Sequence, residues 1–294
     1  YTLVYTLSLH DALPIWQSRK RAYQVGERHY DLGNELYRRM LDERMIYSCG
    51  YWRNATDLDE AQRAKLDLIC RKLGLAPGMR VLDVGCGWGG TLKYAAEHYG
   101  VTGVGITISR EQVRHARENA GGLPLEFRLQ DYRDVNESFD AIISVGMFEH
   151  VGAKNYPDFF AMVSRCLKPG GLMLLHTIGQ NRSSSHGDPW LDKYIFPNGA
   201  LPSVKQITRV AEGRLVMEDW HNFGPDYART LLAWHERFEQ AWPEVKERYD
   251  ERFRRMWRYY LLSCAGAFRA RAIHVWQIVF SPQGVPNGYR SIRE

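Results

Sequence analysis

One stretch limits the fold of this chain more than any other: Val81-Leu82-Asp83-Val84-Gly85-Cys86-Gly87-Trp88-Gly89-Gly90. Val81, Leu82 and Val84 read as a buried strand of a parallel sheet, and the glycines then turn the chain sharply into a helix. Glycine at such a turn allows positive φ and lets a ligand lie directly against backbone. The helix beyond it aims free N–H groups and a positive dipole end at that ligand. The stretch predicts a nucleotide-type binding corner at the head of a doubly wound sheet.

A glycine-rich turn alone does not choose its ligand, because dinucleotide dehydrogenases carry a relative of it. Here Gly85, Gly87 and Gly89 lack the dehydrogenase's third glycine three residues after the second. Leu167-Lys168-Pro169-Gly170-Gly171, followed by the apolar Leu172–Leu175, resembles the turn before the fifth strand of class I S-adenosylmethionine methyltransferases. That resemblance implies a Rossmann-like α/β fold with a seven-stranded, mainly parallel sheet.

The remaining pattern alternates. Strand candidates fall at 80–84, 101–107, 124–129, 139–145, 171–177, 214–219 and 274–280, and helices at about 88–99, 109–120, 156–167, 203–212 and 227–241. Such spacing predicts a mainly parallel sheet covered on both faces. In methyltransferases the last strand inserts antiparallel, and the same is expected of His274–Phe280. Ahead of the sheet, apolar residues at three and four spacing (Leu32, Leu36, Met40; Ala61, Leu66, Ile69, Leu73) predict lid helices over about 17–75. Between them Met45–Trp52 reads as a packed lid or part of a ligand pocket. Two helical insertions interrupt the alternation: 180–202, rich in aromatics, and 242–270. The latter is basic, with Arg248, Arg252, Arg254, Arg255 and Arg258 beside Trp257, Tyr259 and Tyr260. It reads as a solvated amphipathic helix or as a surface for anionic headgroups. Residues 1–16 are expected to be a non-native or disordered leader joined to a truncated gene, leaving one catalytic domain over 17–294.

With 294 residues, 45% of them hydrophobic, the chain can bury a substantial core. A formal charge of +5 favours anionic surfaces without marking a nucleic-acid binder. The five scattered cysteines form no C-x-x-C pair, which suggests a reducing, cytoplasmic setting. Cysteines and histidines show no metal-ligand spacing, and no apolar run approaches a membrane span.

More dispersed motifs carry a closer resemblance: His29-Tyr30-Asp31-Leu32-Gly33-Asn34, Tyr47-Ser48-Cys49, the turn at 85–90, Gly105-Ile106-Thr107-Ile108-Ser109, Met147-Phe148-Glu149-His150-Val151-Gly152, Leu175-His176-Thr177-Ile178, Trp190 to Leu201, and Cys264-Ala265-Gly266-Ala267-Phe268-Arg269. Together they resemble the cyclopropane-fatty-acyl-phospholipid synthases and their relatives, the mycolic acid cyclopropane synthases, over roughly 17–294. Bacterial members usually begin with an additional helical domain, which this chain lacks; that bears on membrane docking and on a homodimer, which stays open. The resemblance implies S-adenosylmethionine as cofactor, an unsaturated phospholipid at the inner membrane surface as substrate, and a peripheral position there.

The resemblance also implies the site. For the cofactor it points to Asp83 with the Gly85, Cys86, Gly87, Trp88 and Gly89 turn, to Thr107, Ile108 and Ser109, and to Gln112 for the ribose diol. Asp131, Tyr132 and Arg133 fall beside adenine, and Tyr47 and Ser48 close the methionine side. Family chemistry methylates a cis double bond, leaves a carbocation and removes a proton to close a ring, with bound bicarbonate as general base. By resemblance the bicarbonate ligands are Cys49, Glu149, His176, Ile178 through its backbone, and Tyr227. Cys264 matches a motif sometimes read as nucleophilic, though packing suits it better. On residue type alone, Cys49 reads as a small buried hydrophobe, His176 as a strand-end hydrogen-bonding group and Glu149 as a partner of His150. Alternatives are a fatty-acyl methyltransferase without ring closure, a small-amine N-methyltransferase, and a non-catalytic lipid-binding product.

Overall fold

The computed structural model describes residues 34–184 and 187–294. The leader at 1–16, the helical reading over 17–33 and the His29–Gly33 part of the first motif lie outside the described residues.

Strands β1 (Arg80–Val84), β2 (Thr102–Thr107), β3 (Leu125–Leu129), β4 (Phe139–Val145) and β5 (Leu167–Gly179) pair in parallel. Strand β7 (His274–Ser281) inserts antiparallel between β5 and β6 (Val216–Asn222), giving the order β3-β2-β1-β4-β5-β7-β6. The sheet is the class I methyltransferase arrangement expected. Chain direction across it reverses at β1, so β1 and β4 open a crevice at their carboxyl ends, where open α/β sheets bind ligands. Strand β5 begins earlier than its apolar run: Leu167 pairs with Phe139 before a register shift, which draws the Lys168–Gly171 turn into the strand.

The described helices are α1 (Asn34–Met40), α2 (Leu58–Lys72), α3 (Gly90–Tyr99), α4 (Arg110–Glu118), α5 (Tyr156–Cys166), α6 (Pro189–Tyr194), α7 (Val204–Ala211), α8 (Gly224–Val245) and α9 (Glu251–Arg269). Helix α3 starts two residues later than expected because Gly89, at φ 88°, occupies the left-handed region just before it. The Ser109 hydroxyl caps α4 by accepting from the Gln112 amide, and Ser203 with Gln206 forms a capping box on α7.

Alternation along the strands divides the sheet's core in two. Leu82, Val84, Ile142 and Phe280 face one layer with α5, and Val81, Ala141, Ile143 and Val279 face the other with α2 and α3. A third, aromatic cluster joins α1, the 45–52 loop, α8 and α9 through Tyr37, Trp52, Trp234, Phe238, Trp257 and Phe268. The helix within 242–270 is amphipathic, with Arg252, Arg255 and Arg258 exposed. Trp257 and Tyr260 point into that cluster, Arg254 and Arg258 pair with Glu239 of α8, and of the three aromatics only Tyr259 is exposed. Among the described residues no helix is long and apolar enough to cross a membrane.

Candidate active site

Every residue expected to hold the cofactor, except Gly89, lines one cavity at the carboxyl ends of β1, β2 and β4. Gly85 sits at φ 82°, and a Cβ there would lie 2.6 Å from the Met147 side chain, so position 85 needs glycine twice over. Gly89 lies behind the turn instead; a Cβ on it would strike the Phe127 ring at 2.8 Å. Its part is to let α3 pack on the sheet.

The cavity's polar groups fall at its opposite ends. On β1, buried Asp83 has one carboxylate oxygen without a protein partner, and burial pushes its carboxyl up to about 7 against the pull of Lys65. Thr107 donates to the Gln112 carbonyl oxygen at 2.7 Å, which sets an amide and a hydroxyl side by side where β2 meets α4. Asp131 is gripped at both oxygens by Arg133, at 2.8 and 2.7 Å, and the Arg133 guanidinium lies 5.3 Å from the Tyr132 ring centre. Met45, Ile46, Tyr47 and Ser48 close the cavity from above. The Met45–Trp52 loop is thus both of the things its sequence allowed: its first half lines the pocket, and Cys49, Tyr51 and Trp52 are buried beneath it.

Sequence reasoning missed several lining residues. Met147, His150 and Val151 arrive on the turn after β4, and Pro197 and Asn198 on the aromatic insertion. It also missed Lys65, which is fully buried and donates to the Ser48 hydroxyl at 3.0 Å; burial lowers its ammonium to about 8. A signal existed: Lys65 stands four residues from both Ala61 and Ile69, on the apolar face of α2.

The other expected residues occupy a second zone, where the ends of β4 and β5 meet the aromatic cluster, outside the lining of the first cavity. Glu149 follows β4 in a short 3₁₀ turn (Phe148–His150). One oxygen accepts from the Ile178 amide at 2.7 Å; the other has no protein partner, and burial pushes the carboxyl up to about 7. The Ile178 N–H is therefore committed to orienting Glu149. His176 lies on β5 opposite Gln277 of β7. Its Nδ1 is 3.4 Å from the Gln277 amide nitrogen, and its Nε2 is buried without a protein partner. Burial, then the positive charges of Lys65 and Lys72, hold the imidazole well below its usual range and so neutral.

Tyr227 comes from α8, with its ring centre 4.6 Å from Phe268 and 6.0 Å from Trp234. Burial raises its hydroxyl well above the usual value, and the proximity of Cys49, Tyr47 and Glu149 adds to that rise. Tyr47 reaches the same zone: its hydroxyl is 2.9 Å from that of Tyr260, and its ring centre is 5.0 Å from Trp234. Cys49 donates to the Gly50 carbonyl at 3.1 Å, and burial raises its thiol well above the usual range. Cys264, half-buried on α9, is pushed up to about 12 by burial. Neither sulfur is a ready thiolate. Among the described residues, no group of three or more His, Cys, Asp or Glu side chains could hold a metal ion. The zone thus pairs two unpartnered buried polar atoms, Glu149 Oε2 and His176 Nε2, with aromatic walls.

Residues 17–278 match the family model described as mycolic acid cyclopropane synthetase. The chain is 61% identical over 277 residues to the cyclopropane-fatty-acyl-phospholipid synthase of Escherichia coli strain K12, covering 94% of this chain and 72% of that one. Among solved structures it is similar to the cyclopropane synthase MmaA2 from Mycobacterium tuberculosis (TM-score 0.83, 33% identity, 88% of this chain and 97% of that one). It is similar too to the mycolic acid cyclopropane synthase CmaA1 complexed with SAH and CTAB (TM-score 0.82, 34% identity, 88% and 97%).

Proposed function

This chain belongs to the mycolic acid cyclopropane synthetase family, and from that premise we propose that it converts cis double bonds in phospholipid acyl chains to cyclopropane rings. It is an S-adenosylmethionine-dependent methyltransferase. The observation that carries the finer reading is the second zone: one oxygen of a buried acid and the Nε2 of a neutral histidine, both without protein partners, beside aromatic rings. An ordinary methyl transfer to an amine needs no such enclosure.

The donor set fits S-adenosylmethionine. The unpartnered oxygen of Asp83 suits the methionine ammonium, Gln112 with Thr107 suits the ribose diol, and Tyr132 and Arg133 suit adenine. Tyr47 and Ser48 close the methionine end. When bound, the cofactor supplies an electrophilic methyl group. Tyr47, Tyr227, Trp234 and Phe268 exclude water and turn ring faces toward positive charge on the acyl chain. Because Cys49 and Cys264 remain thiols, neither presents an anionic sulfur that would trap that charge.

The second zone fits bicarbonate, which would supply a base that is a poor nucleophile. Glu149 Oε2 would accept its hydroxyl hydrogen, while His176 Nε2 and the Tyr227 hydroxyl would donate to its oxygens. Ile178 would act through its hold on Glu149, and Cys49 would pack the floor. For lipid access, Tyr194 and Tyr259 with Leu262 are exposed on α6 and α9, and Trp190 stands 4.5 Å from Tyr259. This surface would meet the acyl region of a bilayer.

The test is mass spectrometry of acyl chains after incubation with S-adenosylmethionine and unsaturated phospholipid vesicles, with and without bicarbonate. A bicarbonate-dependent product one CH₂ heavier, resistant to alkene hydrogenation, is expected. A product that hydrogenates normally would place the chain among plain methyltransferases, and retained cofactor binding with no lipid product would point to an amine.

A further inference from the structure

We propose that Lys72 and Gln277 are positioning residues that hold His176 as its Nε2–H tautomer, so that it serves only as a neutral hydrogen-bond donor. The argument starts from an expensive feature. Lys72, at the last turn of α2, is fully enclosed between the helix and the antiparallel strands β6 and β7. A buried ammonium is costly unless its hydrogens find acceptors, and burial lowers that of Lys72 to about 7, with the Asp219 carboxylate pulling the other way. Lys72 Nζ lies 2.9 Å from Gln277 Oε1, 3.0 Å from His221 Nδ1 and 3.9 Å from an Asp219 carboxylate oxygen. Asp219 is in turn held by Arg293 at 2.6 Å and by the Ser291 hydroxyl at 2.9 Å.

This arrangement fixes a proton on the neighbouring strand β5. Below pH 7 Lys72 is an ammonium and only donates, so the Gln277 oxygen must face it, and the Gln277 NH₂ must face His176. That NH₂ has no acceptor capacity, so His176 Nδ1, 3.4 Å away, is the acceptor. The one proton of the neutral imidazole then sits on Nε2, the nitrogen that is buried without a protein partner. Burial and the nearby Lys65 and Lys72 charges oppose a second proton on the ring. Lys72 and Gln277 do not line the cavity beside β1; they act through His176. The tautomer assignment stands by itself, and only the identity of what Nε2–H meets rests on the proposed function.

The experiment is ¹H–¹⁵N long-range correlation of the histidine side chains in the cofactor-free protein at pH 6, where Lys72 is an ammonium and His176 is neutral, with a His176→Asn spectrum for assignment. In the unaltered protein, His176 is expected to show a protonated Nε2 and an unprotonated Nδ1. In Gln277→Glu a carboxylate presents only acceptors, and the proton should move to Nδ1. In Lys72→Met the amide is freed to rotate, and both tautomers should appear. Where the tautomer moves, kcat should fall on the order of 100-fold, as for loss of one pre-set donor, with S-adenosylmethionine affinity unchanged. A protonated Nδ1 in the unaltered protein overturns the proposal, and so does an unmoved proton in Gln277→Glu. A moved proton with unchanged kcat keeps the positioning role and removes His176 from the reaction, which is a failure of the functional reading alone.

Discussion

At the scale of single residues, the role proposed for Glu149 and the stability of the fold pull against each other. Its carboxyl is raised from 4.5 to about 7, first by burial, with the Ile178 amide pulling the other way. The folded state therefore binds the proton more tightly than the unfolded chain does. The stability this contributes is full below the unfolded value and is lost as pH rises through the folded one. Above pH 7 the ionised group costs up to about 3 kcal/mol. Glu149→Gln keeps an oxygen for the Ile178 amide and removes the charge. It should therefore be more stable than the unaltered protein at pH 8, with the gain shrinking toward pH 4.5. Denaturant melts across that range check this, and a gain independent of pH would sink it. The same variant should lose most turnover while still binding S-adenosylmethionine, whereas Cys264→Ser should stay largely active. The acid and the histidine were proposed from the motifs around them, by resemblance. Lys65 and Lys72 were not, because a lysine on a helix reads as solvated until the third dimension supplies acceptors such as Ser48 and Gln277.

At the scale of elements, the start of α3 sets local preference against tertiary packing. Gly90 is the first residue of the helix, and alanine there would favour the helix by roughly 1 kcal/mol. A Cβ at that position, however, would sit 2.5 Å from the Arg44 carbonyl and 2.7 Å from the Ile46 side chain. Those atoms belong to the loop that roofs the cofactor cavity, and Asp42 pins that loop by accepting from the Ile46 and Arg44 amides at 2.7 and 3.1 Å. Packing wins, and the loop must move. Gly90→Ala is expected to weaken S-adenosylmethionine binding on the order of tenfold, about 1.4 kcal/mol, with a melting temperature lowered by only a few degrees. Calorimetric titration beside a thermal melt separates the two, and unaltered affinity would show that the roof yields freely. The strands were readable because a buried parallel strand leaves a run of apolar residues between turn signals. Helix α9 was legible as a basic amphipathic helix, while its placement was not, because Glu239 on α8 and the aromatic cluster below decide it.

At the scale of the whole molecule, the cavity proposed for the cofactor belongs to the sheet and the proposed reaction zone to the junction between sheet and aromatic cap. The sheet's share was legible as a motif; the cap's share needed the fold, since α1, α8 and α9 meet from distant parts of the chain. One segment ties the two together. Tyr289 donates to the Lys72 carbonyl at 2.9 Å, Arg293 grips Asp219 at both oxygens, and the Arg293 carbonyl accepts from Tyr51 of the cap loop. None of these residues lines the cofactor cavity. Asp219 is almost fully buried, so removing Arg293 leaves a carboxylate with only Ser291 and the more distant Lys72 to satisfy it. Arg293→Ala should therefore cost on the order of 1–3 kcal/mol of stability. Arg53 pairs with Glu294 at the exposed surface, and Arg53→Ala should cost less than about 1 kcal/mol. The two also differ in where they act. Loss of Arg293 frees Asp219 to draw Lys72 toward itself and away from Gln277, so kcat should fall while S-adenosylmethionine affinity holds. Loss of Arg53 should change neither. If the two variants prove indistinguishable in both melts and kinetics, the terminal segment is packing alone, and the cap and sheet are coupled by some route other than Asp219.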